Sequence, residues 1–193
     1  MNSKFLKDKF FLLVKKIENL NYQKYYKNSN LKKLLSTNKF EYIKHPANYI
    51  FENHNKKYEP QILDLIRLHF LINFRKIFTV LELGCGNSTL FISDALQKNK
   101  KKYLKEVNLK LRKGNKFELH SIDSNKKYLN LTKKKLKEKK LFNNVFLNYS
   151  PAKLVSYNCE ITSELKKLPN IMPDLIYIDG PHCLDVKGKI NGI

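Results

Sequence analysis

Four short runs of β-branched and aliphatic residues stand out in the last two thirds of the chain, and helical apolar patterns lie between them. Runs of this length and composition are typical of strands. They are Thr79–Leu83, Phe117–Ile122, Val145–Tyr149 and Asp174–Ile178. Because strands that alternate with helices build parallel sheets, the pattern predicts an α/β fold. We expect a doubly wound, mostly parallel sheet with four recognisable strands and helices on both faces.

Helical apolar periods precede and separate these runs. A helix is predicted to begin at Glu59-Pro60, because proline suits the first helical turn. A second helical pattern runs from Thr89 to Gln97. A third runs from Asn125 to about Lys140, and Ser124 stands where a helix cap is expected.

Two connecting segments have weaker patterns. Residues 98–116 are a run of cations that ends at the turn signal Gly114-Asn115, and they are predicted to form a solvated insertion. Residues 151–167 are predicted to form a mostly helical return, with a break near Asn158.

The N-terminal part of the chain differs in composition from the rest. Residues 1–58 are rich in Lys, Asn and Tyr and are predicted to be a basic helical extension, and residues 59–193 are predicted to form the α/β domain. The apolar run Phe10–Val14 is too short for a secretory signal or a membrane span. Cys85, Cys159 and Cys183 suggest neither a disulfide framework nor a metal site, so we expect a cytoplasmic protein without a metal.

The charge of the chain is high but is carried almost entirely by lysine. The 193 residues have a net charge of +21, which suits a polyanion such as nucleic acid, and a hydrophobic content of 42%, which is enough for a core. Arginine, which reads phosphates and bases through paired hydrogen bonds, occurs only at Arg67, Arg75 and Arg112. The composition therefore favours a small-molecule substrate over a nucleic acid.

Each predicted strand is followed by glycine or a polar residue. In a doubly wound sheet the carboxyl ends of the strands face one crevice, where ligands bind. Gly84 and Gly86 follow the first strand and allow close backbone approach, and Asp123 follows the second with a carboxylate that suits ribose hydroxyls. Ser150 follows the third strand and Asp179 the fourth.

The segment Val80-Leu81-Glu82-Leu83-Gly84-Cys85-Gly86-Asn87-Ser88-Thr89 resembles the first motif of class I, Rossmann-like S-adenosylmethionine-dependent methyltransferases. The segments Ser121–Ser124 and Asp174–Gly180 are similar to later motifs of that family, and the resemblance covers about residues 60–183. It departs from the family pattern at Ser150-Pro151-Ala152, where relatives often have Asp before Ala, and in the long interval from Gly86 to Asp123.

The resemblance implies S-adenosylmethionine as the cofactor and assigns roles to the residues of these motifs. Glu82 would steady the turn and the amino-acid end of the cofactor, Asp123 and its neighbour Ser124 would hold the ribose, and Ser150 would lie near the adenine. Asp179 would lie near the methionine moiety or the methyl acceptor. The residues expected to line the amino-acid end are Gly84, Cys85, Gly86, Asn87 and Ser88.

His182 is the predicted general base, with Asp179 beside it. An imidazole that titrates near neutrality suits removal of a proton from a hydroxyl acceptor, although an exposed loop histidine fits the same position. Plain structural roles also fit Glu82 as a hydrogen-bonded strand end, Asp123 as a helix cap and Cys85 as a turn filler.

Other functions remain open on the sequence. A non-catalytic Rossmann-like module and an RNA methyltransferase share these motifs. An NAD-dependent oxidoreductase is disfavoured, because Thr89 stands where the dinucleotide turn needs a third glycine and Glu82 would lie beside a pyrophosphate.

The fourth strand motif lies close to the end of the sequence. Only Cys183–Ile193 follows it, whereas the family builds a seven-stranded sheet, so the domain is expected to be incomplete. An unpaired apolar edge at Leu175–Ile178 is then expected to favour association with a partner or a second copy.

Overall fold

The computed structural model describes residues 3–36, 39–41 and 60–181, together with residues 186 and 188. The described residues belong to two compact units, Met1–Arg67 and Leu68–Ile193. The predicted boundary between residues 58 and 59 lies outside the described residues, as do His45, His54 and His182.

The first unit begins with two helices and a 3-10 turn, and Tyr26, Leu31 and Leu34 are buried there. Helix α1 spans Ser3–Glu18, α2 spans Tyr22–Asn28, and a single 3-10 turn spans Leu31–Lys33. The side chain of Asn21 caps α2 by accepting a hydrogen bond from the Lys24 N–H at 2.9 Å.

The second unit contains a four-stranded parallel sheet, so a mixed α/β fold is confirmed. The unit has six strands in its described part. In chain order they are Thr79–Leu83 (β1), Glu118–Asp123 (β2), Val145–Tyr149 (β3), Ala152–Tyr157 (β4), Glu160–Leu165 (β5) and Leu175–Ile178 (β6). The parallel sheet has the order β3-β2-β1-β6, and β4 and β5 form a separate antiparallel pair. All four strands predicted from the sequence are present in the sheet. The order reverses at β1, which is where such sheets bind ligands.

Three further helices occur in the described chain, and the last two of them contact this sheet. Helix α3 spans Ile62–Phe74, α4 spans Asn87–Lys110 and α5 spans Lys126–Glu138. Helix α4 contacts β1, β2 and α5, and α5 contacts β2 and β3. The two helices therefore lie on one face of the sheet and bury its apolar residues.

The prediction of a solvated insertion at residues 98–116 is wrong, because α4 continues to Lys110. Asn99 and Val107 are buried and lie two turns apart, on the same face of the helix. The Asn99 amide donates to the backbone oxygens of Ile72 at 3.0 Å and Ile77 at 2.9 Å. These contacts hold the cationic half of the helix against the domain while its lysines face solvent.

The predicted helical return at residues 151–167 is also wrong, because β4 and β5 form a hairpin. Asn158 and Cys159 occupy its turn with positive φ angles of 50° and 65°. A turn with two left-handed residues matches the twist of two antiparallel strands. Asn158, predicted as a helix break, is therefore a hairpin residue, and the connection from β3 to β6 does not supply a helix.

The pleat of the sheet places Glu82 on the α4 face and Leu81 on the opposite face. On that opposite face Leu81 and Ile122 are buried, whereas Ile176 and Ile178 of β6 are 55% and 69% exposed. Among the residues that the structure describes, no helix has both the length and the apolar character needed to cross a membrane.

Candidate functional site

The residues predicted at the four strand ends are adjacent in the structure. The Gly84 N–H donates to the Ile122 oxygen at 2.7 Å, and the Ser150 N–H donates to the Asp123 oxygen at 3.0 Å. The Asp179 N–H donates to the Leu83 oxygen at 2.8 Å. The carboxyl edge of the sheet therefore brings together the turns after β1, β2, β3 and β6.

Gly84 is required by the fold itself. Its φ is +91°, and a Cβ there would lie 2.8 Å from the Asp179 carbonyl carbon. A Cβ on Gly180 would in turn lie 2.9 Å from the Cα of Gly84. The turns after β1 and β6 thus touch backbone to backbone, and only glycine permits this approach.

Gly86 has no such requirement. Its φ of 173° is extended backbone that any residue adopts, and a Cβ there would meet no described atom within 4 Å. Gly86 is the cap residue of α4, so this open space lies at the N-terminus of that helix, where the first N–H groups have no partner within the helix. The glycine therefore leaves room at a helix N-terminus without any packing reason for it.

Glu82 lies fully buried beneath this turn. Its Oε1 accepts a hydrogen bond from the Ser88 hydroxyl at 2.7 Å, and its Oε2 accepts from the hydroxyls of Thr89 at 2.8 Å and Ser121 at 2.6 Å. Burial raises the pKa of Glu82 to about 7, although the three hydroxyl donors act in the opposite direction. Nearby Asp179 adds to the rise through its negative charge.

This geometry makes Glu82 the anchor of the first turn. The Thr89 hydroxyl that donates to Glu82 also accepts from the Gly86 N–H at 2.9 Å, so the carboxylate, the helix start and the turn form one network. Thr89 and Ser121 were not predicted as site residues. Their signal in the sequence is only a small hydroxyl side chain near a buried acid, which many structural positions share.

Asp123 joins the turns after β1 and β2. Its Oδ2 accepts from the Cys85 N–H at 2.8 Å and its Oδ1 accepts from the Asn125 N–H at 2.7 Å. The side chain is nearly buried, and each oxygen keeps a lone pair beyond these bonds. Asp123 thus combines a structural role with the capacity to accept further hydrogen bonds.

Ser124 does not cap α5, which corrects the prediction from the sequence. Asn125 is the cap, because its Oδ1 accepts from the Lys127 N–H at 2.9 Å. The Ser124 hydroxyl oxygen is instead buried and has no hydrogen-bond partner among the described residues. A buried hydroxyl without a partner costs free energy, so Ser124 is a polar group that suits a ligand.

The remaining predicted site residues have different surroundings. Ser150 is buried, and its hydroxyl accepts from the Lys167 N–H at 2.8 Å. The Asn87 side chain accepts from Lys135 Nζ at 3.0 Å. Asp179 is exposed at the end of β6.

Cys85 is suited to packing in the turn rather than to nucleophilic chemistry. Burial raises the pKa of its thiol far above the usual range, and the negative charge of Asp123 raises it further. The thiol therefore stays protonated and unreactive near neutral pH.

Asp174 has a structural role that the sequence pattern did not predict. Its Oδ2 accepts from the backbone N–H groups of Phe78 and Thr79, each at 2.9 Å, and its Oδ1 lies 2.7 Å from Lys113 Nζ. These bonds join the start of β6 to the start of β1, at the end of the sheet opposite the candidate site.

The two described histidines, His69 and His120, have structural surroundings. His69 is fully buried with its Nε2 3.1 Å from Asp94 Oδ2, and His120 stacks on Phe146 with ring centres 4.6 Å apart. No cluster of three or more His, Cys, Asp or Glu side chains that could hold a metal ion occurs in the described ranges.

Comparisons of the chain with protein-family models, with curated proteins and with solved structures give no match.

Proposed function

We propose that this chain is an S-adenosylmethionine-dependent methyltransferase that methylates a hydroxyl or similar nucleophile of a small molecule in the cytoplasm. The observation that carries the proposal is Gly86, whose missing side chain leaves open space at the start of α4 for no reason of packing or backbone conformation. Asp123 is the last residue of β2 and lies directly beside this turn, and Ser124, whose hydroxyl has no partner among the described residues, follows it.

These residues fit a nucleoside cofactor with a positive charge. Asp123 has acceptor capacity left for ribose hydroxyls, and Ser124 can complete its hydrogen bonding on the same nucleoside. The bound cofactor would supply an electrophilic methyl group on a sulfonium. The carboxylates of Asp123 and Asp179 at this edge favour that cation electrostatically.

The same charges disfavour a dinucleotide. A pyrophosphate at the start of α4 would lie beside the Asp123 carboxylate, and like charges repel. Thr89 is also committed to Glu82 and the Gly86 N–H, where a dinucleotide turn uses a third glycine. A non-catalytic module would bind S-adenosylmethionine without turning it over.

Isothermal titration of the chain with S-adenosylmethionine, S-adenosylhomocysteine and NAD tests the cofactor directly. We expect saturable binding of the first two and none of NAD. Binding of NAD alone would refute the proposal. Release of S-adenosylhomocysteine with a panel of hydroxylated small molecules and with RNA then identifies the acceptor, and binding without release from any of them would favour the module.

Asp123→Ala is expected to weaken S-adenosylmethionine binding by about a hundredfold. The change removes a charged acceptor from the ribose, and each such hydrogen bond is worth roughly 1.5 to 3 kcal/mol. It also leaves the Cys85 N–H without its partner, so a loss of stability of about 1 to 3 kcal/mol is expected as well.

Asp174→Ala is the matched control, because Asp174 also accepts two backbone N–H bonds but lies at the opposite end of the sheet. It should lower stability and leave cofactor affinity unchanged. If both variants weaken binding equally, or if Asp123→Ala binds within twofold of the parent, Asp123 does not hold the cofactor.

His182→Ala is expected to lower turnover by about a hundredfold while cofactor affinity stays unchanged, because a general base acts on the acceptor and not on cofactor binding. The described chain brings Asp179, three residues before His182 in the sequence, to the edge that carries Gly84. Single-turnover rates measured alongside cofactor titration separate the two effects. A turnover rate within threefold of the parent would leave His182 as a loop residue.

The finer architecture is part of the same proposal. We propose a doubly wound sheet and a basic helical extension over residues 1–58. Burial of Leu81 and Ile122 supports the former, because both lie on the face opposite α4 and α5.

A further inference from the structure

Helix α5 carries the densest charge in the described part of the chain. Residues 126–140 contain eight lysines and a single acid, Glu138. Three of the lysines, Lys126, Lys133 and Lys137, recur at helical spacing along one flank and are exposed. None of these three forms an ion pair with a described carboxylate.

Aromatic rings lie directly beneath this flank. Lys126 Nζ lies 4.8 Å from the ring centre of Tyr149, at the carboxyl end of β3. Lys133 and Lys137 each place Nζ 5.9 Å from the ring centre of Phe142, which precedes β3. We call these five residues the α5–β3 stripe. With a rise of 1.5 Å per residue, the lysines span about 16 Å along the helix.

The chemistry of the stripe matches a polynucleotide better than a membrane. The apolar side of α5, with Leu129, Thr132 and Leu136, is already buried in the domain. Only Tyr128 and Leu131 are exposed apolar side chains on this helix, which is too little surface to insert into lipid. Lysines bind phosphates as point charges without reading sequence, and exposed aromatic rings stack with unpaired bases. The scarcity of arginine therefore argues against recognition of particular bases but not against phosphate binding.

We propose that the α5–β3 stripe is a docking surface for single-stranded nucleic acid, bound without sequence specificity. The stripe begins three residues after Asp123, and Tyr149 pairs with Asp123 in the sheet, so a strand bound along it ends beside the candidate cofactor site. Docking of this kind goes beyond the proposed methyl transfer to a small molecule. It is measured without any cofactor, so its failure and the failure of the proposed function are distinguishable.

The test is fluorescence anisotropy of the full chain with a short labelled single-stranded RNA at several salt concentrations. The triple variant Lys126→Gln, Lys133→Gln, Lys137→Gln should bind at least about tenfold more weakly at physiological salt. The slope of log K against log salt should also fall in magnitude by about 2, since each phosphate contact on a single strand contributes about 0.7. The matched control Lys101→Gln, Lys105→Gln, Arg112→Gln removes the same charge from exposed positions of α4 and the segment after it.

Equal losses of RNA affinity in the two triple variants would mean that net charge alone attracts RNA, and the proposed docking role of the α5–β3 stripe would be wrong. Tyr149→Ala should weaken single-stranded RNA binding by about fivefold or more through lost stacking. The parent chain should bind the matching duplex more weakly than the single strand, because paired bases cannot stack on the ring. Duplex binding as tight as single-strand binding, or stripe-dependent binding of anionic phospholipid vesicles without RNA binding, would overturn the proposal. Circular dichroism confirms that each variant is folded.

Discussion

Gly86→Val is expected to abolish S-adenosylmethionine binding while the domain stays folded and almost as stable as the parent. A Cβ at Gly86 meets no described atom within 4 Å, and the residue is in extended backbone, so the added side chain neither clashes nor strains the chain. The change at a helix cap should cost less than about 1 kcal/mol. A branched side chain in the open space should nevertheless weaken binding by at least about a hundredfold, or about 3 kcal/mol.

Gly114→Val provides the matched control for this prediction. A Cβ at Gly114 also meets no described atom within 4 Å, but the residue lies in the turn before β2, at the end of the sheet opposite the candidate site. Isothermal titration and thermal unfolding of both variants separate binding from stability. Retained affinity in a folded Gly86→Val protein would remove this turn from the cofactor site and would refute the central argument for the proposed function.

The contrast with Gly84 shows why the sequence alone does not distinguish the two glycines. Both belong to the same Gly-x-Gly turn, yet Gly84 is fixed by a positive φ and by the Asp179 backbone 2.8 Å from its absent Cβ, whereas Gly86 faces open space. Only the fold, which brings the β6 turn against the β1 turn, separates a structural glycine from one that suits a ligand.

The four strands of the parallel sheet could be predicted because their apolar character is local. Val80 and Leu81 of β1 and Leu119 and Ile122 of β2 are buried, and each stands in a short β-branched or aliphatic run. Such runs favour strand structure whatever surrounds them in the fold.

The hairpin and the second half of α4 could not be predicted from local patterns. The hairpin depends on left-handed backbone at Asn158 and Cys159, and cysteine gives no turn signal. The lysines after Gln97 conceal a helix held by Asn99 and Val107, which are too widely spaced to stand out in a cationic segment. Tertiary contacts, and not the helix or strand propensity of the residues, decide the secondary structure of both segments.

The candidate site was predicted as a set of positions, but not with the bonds that those positions make. The strand-end position of Asp123 predicted that it lies beside the turn after β1, and the family resemblance implied that Glu82 steadies the same turn. In the structure both side chains bond to that turn or to the helix start after it. That Asn125 and not Ser124 caps α5 depends on a one-residue difference in where the helix begins. Helix boundaries are the least certain part of any sequence pattern.

Glu82 is expected to make the domain less stable as the pH rises. Its pKa in the folded protein is about 7, above the ordinary value of 4.5, so the folded state holds a proton that the unfolded chain has lost. The stabilisation from that proton is complete below about pH 4.5 and is lost as the pH rises to about 7, which corresponds to about 3 kcal/mol. Chemical denaturation at about pH 5 and about pH 8 measures the loss.

Glu82→Gln isolates this contribution, because glutamine keeps the shape of the side chain but does not titrate. The variant should lose most of the difference in unfolding free energy between the two pH values, whereas the exposed Glu160→Gln should retain the parent's difference. The three hydroxyls around position 82 can rotate to accept or donate, so the variant is expected to fold with a cost of about 1 kcal/mol. If parent and Glu82→Gln lose the same stability between the two pH values, Glu82 is ionised throughout, and the hydroxyl network then outweighs burial in setting its charge.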